Sequence, residues 1–155
     1  TRQKVPALNL KEYPGIPLGV RAGGYILAHA HNGSKPDINL IATGSEIHLA
    51  LAARHQLESE GTYAQVVSLP SWNLFQTQSA DYRNQVIPSD VPMLAIEAGV
   101  SLGWQSYVGP QIPVIGVDRF GASAPGQRVM QEYGFTVENV CQRATAVLEK
   151  QKEYV

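Results

Sequence analysis

Two acidic residues follow short apolar runs in this chain, which puts carboxylates at the ends of predicted strands. Glu97 follows Met93–Ile96, and Asp118 follows Pro113–Val117. The carboxyl ends of parallel strands form the edge at which open α/β sheets bind ligands, and two carboxylates there could act as an acid and a base. No nucleophile or neighbouring base stands beside them. We therefore expect structural roles, either hydrogen bonds to loop N–H groups or an ion pair with Arg119.

A glycine turn after the apolar run Ile38–Ala42 is the second feature that could do chemistry. The turn reads Thr43-Gly44-Ser45-Glu46 and leads into a helical pattern, and the N–H groups of a helix N-terminus can bind an anion. It is neither Gly-x-Gly-x-x-Gly nor a P-loop, and the charge of Glu46 would compete with a phosphate. Thr43 and Glu46 have capping-box spacing, with Ser45 as a competing N-cap. We expect a structural turn and keep an anion site as the alternative.

The four histidines do not predict a metal site. His29 and His31 are two residues apart and share a face if they lie on a strand, but a zinc site needs further ligands, and none is suitably spaced. His48 and His55 are seven apart, which places them on roughly one face of the predicted helix. We expect polar strand-end histidines in the first pair and surface or partner-facing ones in the second.

The segment Asp118–Gly126 contains small, charged and turn-forming residues and leads into a helix through Pro125, a residue suited to the first helical position. It predicts a structured loop that could face a partner.

The single cysteine, Cys141, cannot form an intramolecular disulfide and is expected to be a small buried residue.

Composition narrows the class of protein. Of the 155 residues, 44% are hydrophobic and 16% are charged, which is a globular composition with enough chain for one core. The net charge of −1 gives no electrostatic case for binding nucleic acid or an anionic membrane. No apolar run approaches the roughly 18 residues of a membrane span. The chain starts without methionine or a signal peptide, and we expect it to be part of a longer protein.

Apolar runs and turn signals divide the chain into alternating strands and helices. The predicted strands are Gly24–Ala28, Ile38–Ala42, Tyr63–Leu69, Met93–Ile96 and Pro113–Val117. The predicted helices are the segment that follows Gly44 and ends at Gly61, together with Ser71–Phe75, Ser79–Ile87, Gly103–Val108, Ala124–Tyr133 and Thr136–Lys152. This alternation predicts an α/β fold with a mostly parallel sheet that helices cover on both faces.

Two details of the predicted topology concern the first part of the chain. Residues 1–22 are rich in proline and glycine and predict an extended arm or linker before a single domain, 23–155. The turn at Asn32–Pro36 separates the first two strands and suggests a hairpin. The first strand would then lie antiparallel beside Ile38–Ala42.

Taken together, the motifs of this chain resemble the C-terminal domain of transketolase, in order and over almost the whole length. The combination of Ala-Thr-Gly-Ser-Glu at 42–46 with Asp-Arg-Phe-Gly-Ala-Ser at 118–123 is specific, although either alone would be weak. Supporting segments are Thr1-Arg2-Gln3, Gly23-Gly24-Tyr25, Val66 to Ser71, Tyr82-Arg83, Glu97-Ala98, Gly103-Trp104 and Tyr133 to Val140.

The resemblance implies a fold and a context. Members of this family have three α/β domains per subunit and form homodimers. The third domain is a three-layer α/β/α unit with a five-stranded mixed sheet, mostly parallel with one antiparallel edge strand. The preceding domains bind thiamine diphosphate and a divalent metal, Mg or Ca. The enzyme transfers a two-carbon ketol unit from a ketose phosphate to an aldose phosphate in the pentose phosphate pathway, in the cytoplasm.

For this chain, the resemblance implies a domain that supports dimer assembly and stability, with no cofactor of its own and no activity alone. One substrate residue carries over: Arg2 matches the arginine that binds the substrate phosphate in the intact enzyme, a role that suits a permanently charged bidentate donor. Two alternatives stay open. The domain could belong to a related thiamine enzyme such as dihydroxyacetone synthase, or it could be a regulatory module that binds a small ligand at the Thr43–Glu46 turn.

Overall fold

The computed structural model describes residues 5–33, 35–104, 109 and 112–153. Within them, five strands alternate with helices, as the sequence predicts. The strands are β1 (Tyr25–Ala28), β2 (Ile38–Ala42), β3 (Ala64–Ser68), β4 (Met93–Ile96) and β5 (Val114–Ile115). The helices are α1 (Ile16–Ala22), α2 (Glu46–Ser59), α3 (Trp72–Gln76), α4 (Ala80–Val86), α5 (Gly126–Glu132) and α6 (Val137–Glu153), with a short 3-10 helix at His31–Gly33.

The sheet has the order β1-β3-β2-β4-β5, with β1 antiparallel and the other four strands parallel. The predicted mixed sheet is therefore confirmed, but the predicted hairpin partner is wrong. Strand β1 pairs with β3, with Tyr25 opposite Ser68, and not with β2. Strand β2 is already paired on both edges, by β3 and β4. The connection from β1 to β2 consequently crosses over the position that β3 fills.

Helices cover both faces of the sheet, which gives the three-layer architecture. On one face, α2 and α6 pack on Leu40, Val66 and Ile96. On the other face, α3, α4 and Trp104 pack on Ile41 and Val67. Every residue of β2 and β3 is buried, which explains why these strands appear in the sequence as short, mainly apolar runs with little alternation. None of the helices in the described residues is long and apolar enough to cross a bilayer.

Part of the segment predicted to be an irregular arm is a helix. Residues Ile16–Ala22 form α1, which starts with Pro17 in its first turn and ends at Gly23 with φ of 82°. Helix α1 lies against β1, and Gly19 is buried at this contact. The helix can approach so closely because position 19 has no side chain: a Cβ there would lie 2.1 Å from Cγ of Tyr25. The proline and glycine content suggested a linker, yet these residues start, pack and end a short helix.

Helix ends and the cysteine follow the sequence-based expectations more closely. Gly61 follows the end of α2 with φ of 84°, and Gly134 ends α5 with φ of 82°. Thr136 accepts a hydrogen bond from the Asn139 N–H at the start of α6. Cys141 is buried between α6 and α2, and this burial raises the pKa of its thiol to about 11. The predicted helix Gly103–Val108 falls mainly on residues 105–108, outside the described residues.

Candidate functional site

The strand order creates one topological switch point, between β2 and β4. From β2 the chain crosses to β3 on one side, and from β3 it returns to β4 on the other side. Ligands of doubly wound folds bind outside the carboxyl ends of the strands at such a point. The Thr43–Glu46 turn follows β2 and Glu97 follows β4, with Ala42 and Ile96 in register. The structure thus places the Thr43–Glu46 turn and the segment after β4 side by side at one edge of the sheet.

The turn after β2 does not form the predicted capping box. The N-cap of α2 is Ser45, which makes no side-chain capping hydrogen bond, and Glu46 is the first helical residue. A capping box needs the carboxylate at the third helical position, so the Thr43 and Glu46 spacing is out of phase with the helix. The turn closes instead through the Glu46 N–H, which donates to the Thr43 carbonyl oxygen at 3.2 Å, and Gly44 has φ of 55°.

The side chain of Glu46 ties α2 to the end of β4. It is only 4% exposed. Its Oε2 accepts a hydrogen bond from the Ala98 N–H at 3.2 Å, and its Oε1 accepts one from the Ser45 hydroxyl. A buried carboxylate that accepts two hydrogen bonds is satisfied where it lies. Because its negative charge occupies the start of α2, it disfavours an anion at the same place.

Glu46 and Glu97 form an acidic pair at the switch point. Partial burial raises the pKa of Glu97, and the charge of Glu46 raises it further. A carboxyl with a raised pKa can hold and release a proton. The described residues contain no group of three or more histidine, cysteine or acidic side chains that could hold a metal ion. Glu97 can therefore hold and release a proton, but within the described part of the chain it has too few neighbouring ligands for a metal ion.

Asp118 links the loop after β5 to the loop after β4. Its carboxylate accepts hydrogen bonds from the Ser101 N–H at 2.9 Å and from the Ser101 hydroxyl at 2.7 Å. These two bonds hold the pKa of Asp118 below its usual value. A hydrogen bond to a loop N–H was one of the two predicted roles. The alternative role was an ion pair between Asp118 and Arg119. The Arg119 guanidinium instead stacks on the Tyr133 ring and donates to the Glu132 carbonyl oxygen.

The histidines take up separate structural positions. His31 lies in the 3-10 helix rather than on a strand, so it does not share a strand face with His29. Its Nδ1 is 3.0 Å from Oε1 of Glu58, and its ring stacks on Tyr63. In α2, Nε2 of His48 lies 2.8 Å from the Pro6 carbonyl oxygen. The His48 contact holds the N-terminal arm against the domain.

The arm also lines an open pocket of about 290 Å³ at the carboxyl edge of the sheet. Apolar side chains of Val5, Leu8 and Ile47 line much of it, together with Gly44 and His48.

Arg2, the predicted phosphate-binding residue, lies outside the described residues, so its role stays a prediction.

Comparison with known proteins identifies the relatives of this chain. A family model described as "Transketolase-like TK C-terminal domain" matches residues 23–136. A transketolase of Halalkalibacterium halodurans is 58% identical over 132 residues, which are 84% of this chain and 20% of the relative. A transketolase of Geobacillus stearothermophilus is 48% identical over 151 residues, which are 97% of this chain and 22% of the relative.

Solved structures agree with the sequence relatives. A crystal structure of a transketolase mutant from Pichia stipitis superimposes with a TM-score of 0.86 at 37% identity. The match covers 98% of this chain and 21% of the other. The chain thus spans about a fifth of the length of the curated relatives that it matches.

Proposed function

This chain belongs to the transketolase family, whose C-terminal domain it matches, and we propose that it works as the C-terminal domain of an intact ketol transferase. The observation that carries the proposal is the family match over residues 23–136, together with 58% identity to a bacterial transketolase. The proposed reaction is the transfer of a two-carbon unit from a ketose phosphate to an aldose phosphate. We further propose a cytoplasmic, homodimeric enzyme, with a role for this domain in assembly and stability.

The cofactors of the proposed enzyme are thiamine diphosphate and a divalent metal, Mg or Ca, and we assign both to the preceding domains. The switch point of this domain is a poor fit for them. A diphosphate at the Gly44 turn would meet the buried carboxylate of Glu46, which already fills the start of α2. The described residues bring no three histidine, cysteine or acidic side chains together there, whereas a divalent cation of this type needs about six ligands. No catalytic step is therefore assigned to this site.

Arg2 is the one residue of this chain that we place in substrate binding, where it would hold the phosphate of the sugar in the intact enzyme. A guanidinium donates two parallel hydrogen bonds to phosphate oxygens. Hydrogen bonds to charged groups contribute about 1.5–3 kcal/mol, or about 10- to 100-fold in affinity.

The test of this role compares Arg2→Ala with the wild type in the intact enzyme. We expect KM for phosphorylated substrates to rise about 10- to 100-fold, with little change for unphosphorylated analogues of the same sugars. Equal increases for both substrate classes would remove the phosphate role. Loss of all turnover with unchanged thiamine diphosphate binding would point instead to a part in the chemistry.

A further inference from the structure

Three large apolar side chains project into solvent from two loops at the carboxyl edge of the sheet. Val100 and Leu102, in the loop after β4, are 57% and 83% exposed, and Phe120, in the loop after β5, is 98% exposed. We call these three residues the loop patch. Single exposed apolar side chains are common on proteins. A phenylalanine that is almost fully exposed, on a loop bonded to one that carries two further exposed apolar residues, is typical of an interaction surface.

Hydrogen bonds and ring contacts fix both loops of the patch. Asp118 joins them by accepting both Ser101 hydrogen bonds. On the other side of Phe120, the Arg119 guanidinium lies 4.3 Å from the centre of the Tyr133 ring. The Tyr133 hydroxyl in turn donates to the Phe120 carbonyl oxygen at 2.6 Å. The backbone of Phe120 is thus held by Tyr133 at the end of α5, and the neighbouring Asp118 is held by the loop after β4, while the Phe120 ring contacts solvent.

The close packing of the two loops adds to this rigidity. The Val117 N–H donates to the Gly99 carbonyl oxygen at 2.7 Å. A Cβ at Gly116 would lie 3.2 Å from the same oxygen and 3.3 Å from Cβ of Ser101, so the loops approach each other as closely as a glycine allows. An aromatic anchor on a fixed backbone loses little freedom when it is buried by a partner, which is the property of an interface hot spot.

We propose that the loop patch is the docking surface for a preceding domain of the same polypeptide, with Phe120 as its central anchor. This inference rests on the proposed function, in which this chain is the last part of a longer enzyme. It adds to that function the surface by which the domain is held.

Two observations favour the same polypeptide as the occupant. The matched relatives are more than four times as long as this chain, so most of the proposed enzyme lies outside the structure. The N-terminal arm approaches the domain at the same edge as the patch, because Pro6 contacts His48 and the arm lines the open pocket with Gly44 and Ser68. A short tether at this edge gives the preceding domain a high effective concentration at the patch.

The experiment measures hydrogen exchange in the full-length chain, comparing the wild type with Phe120→Ser and, as a second variant, Leu102→Ser. Neither side chain packs in the core of this domain, so both variants should fold. The matched control is Leu18→Ser, since Leu18 is 74% exposed on α1. That helix packs on β1, at the opposite end of the strand order from β5.

We expect Phe120→Ser to speed amide exchange at least about tenfold in residues 99–103 and in one segment of a preceding domain, as removal of a hot-spot anchor does. Leu102→Ser should speed exchange in the same places by a smaller factor, and Leu18→Ser in neither. The oligomeric mass of all variants should equal that of the wild type.

Two results would overturn the proposal. Unchanged exchange in both patch variants would mean that the loop patch faces solvent in the whole enzyme. Dissociation of the oligomer by Phe120→Ser would mean that the occupant is a second copy of the chain. The ketol-transfer rate of the wild-type sample tests the proposed function separately, because an active enzyme with an unprotected patch would refute the docking surface alone.

Discussion

Replacing Gly19 by alanine tests the packing of α1 against β1. The added Cβ would lie 2.1 Å from Cγ of Tyr25 and 2.5 Å from both of its Cδ atoms. The Tyr25 ring cannot move away freely, because it is only 8% exposed and belongs to the core under α2 and α6. Overpacking a core costs about 1–3 kcal/mol, and a contact this short belongs at the upper end.

The helix propensity of alanine offsets part of that cost. Alanine is about 1 kcal/mol more favourable than glycine inside a helix, so the net loss in the free energy of unfolding is about 2 kcal/mol. For a chain of this size, 1 kcal/mol shifts Tm by about 2–4 °C. We therefore expect Gly19→Ala to lower Tm by about 4–8 °C and the urea midpoint by about 1 M.

Equilibrium urea unfolding, followed by circular dichroism, measures this change, with Gly15→Ala as the matched control. Gly15 precedes the same helix with φ of −74°, and a Cβ there would meet nothing within 4 Å. We expect the control to lie within about 0.5 kcal/mol of the wild type. If Gly19→Ala were as neutral as the control, residues 16–22 would be the irregular arm that the sequence suggests, and the packing argument would be refuted.

The remaining predictions concern the switch point. Because the pKa of Glu97 is raised in the folded chain, its contribution to stability is complete below its ordinary pKa of 4.5 and is lost as pH rises through the folded value. Glu97→Gln should therefore flatten the fall in Tm from pH 4.5 upward; an identical pH profile in the variant would contradict the raised pKa. Titration of the full-length chain with nucleotides should give no saturable site at the Gly44 turn, because Glu46 disfavours anions there. A micromolar site abolished by a bulky substitution at Gly44 would favour the regulatory alternative.

Much of the fold follows from local patterns in the sequence. Strand β2 and helix α2 were predictable because a short apolar run, a glycine turn and a helical stripe ending at Gly61 are each encoded within a few residues. The partner of β1 was not, because adjacency in the chain favours a hairpin while the actual pairing with β3 joins residues about 40 positions apart. No local signal distinguishes these two neighbours.

In the candidate site, too, the local features were predictable from the sequence and the long-range contacts were not. The acidic strand ends and the turn at Gly44 were visible in the sequence, as was a loop hydrogen bond for Asp118. The proximity of Glu46 to Glu97 depends on β2 and β4 being neighbours, which no local signal in the sequence specifies. The capping box failed for a local reason, since α2 begins at Glu46 and not two residues earlier. A shift of this size lies within the usual uncertainty of helix ends. It nevertheless changes the role of Glu46, which binds the Ala98 N–H after β4 and does not cap α2.

We propose that this domain is part of a ketol transferase but performs no chemistry itself. The most direct measurement is the rate of ketol transfer from a ketose phosphate to an aldose phosphate, with thiamine diphosphate and Mg²⁺ supplied. It is made on the 155-residue chain, on the full-length chain and on the full-length double variant Glu46→Gln, Glu97→Gln. We expect turnover by both full-length proteins and none by the 155-residue chain. Turnover by the 155-residue chain alone, or an inactive but folded and cofactor-loaded double variant, would contradict it.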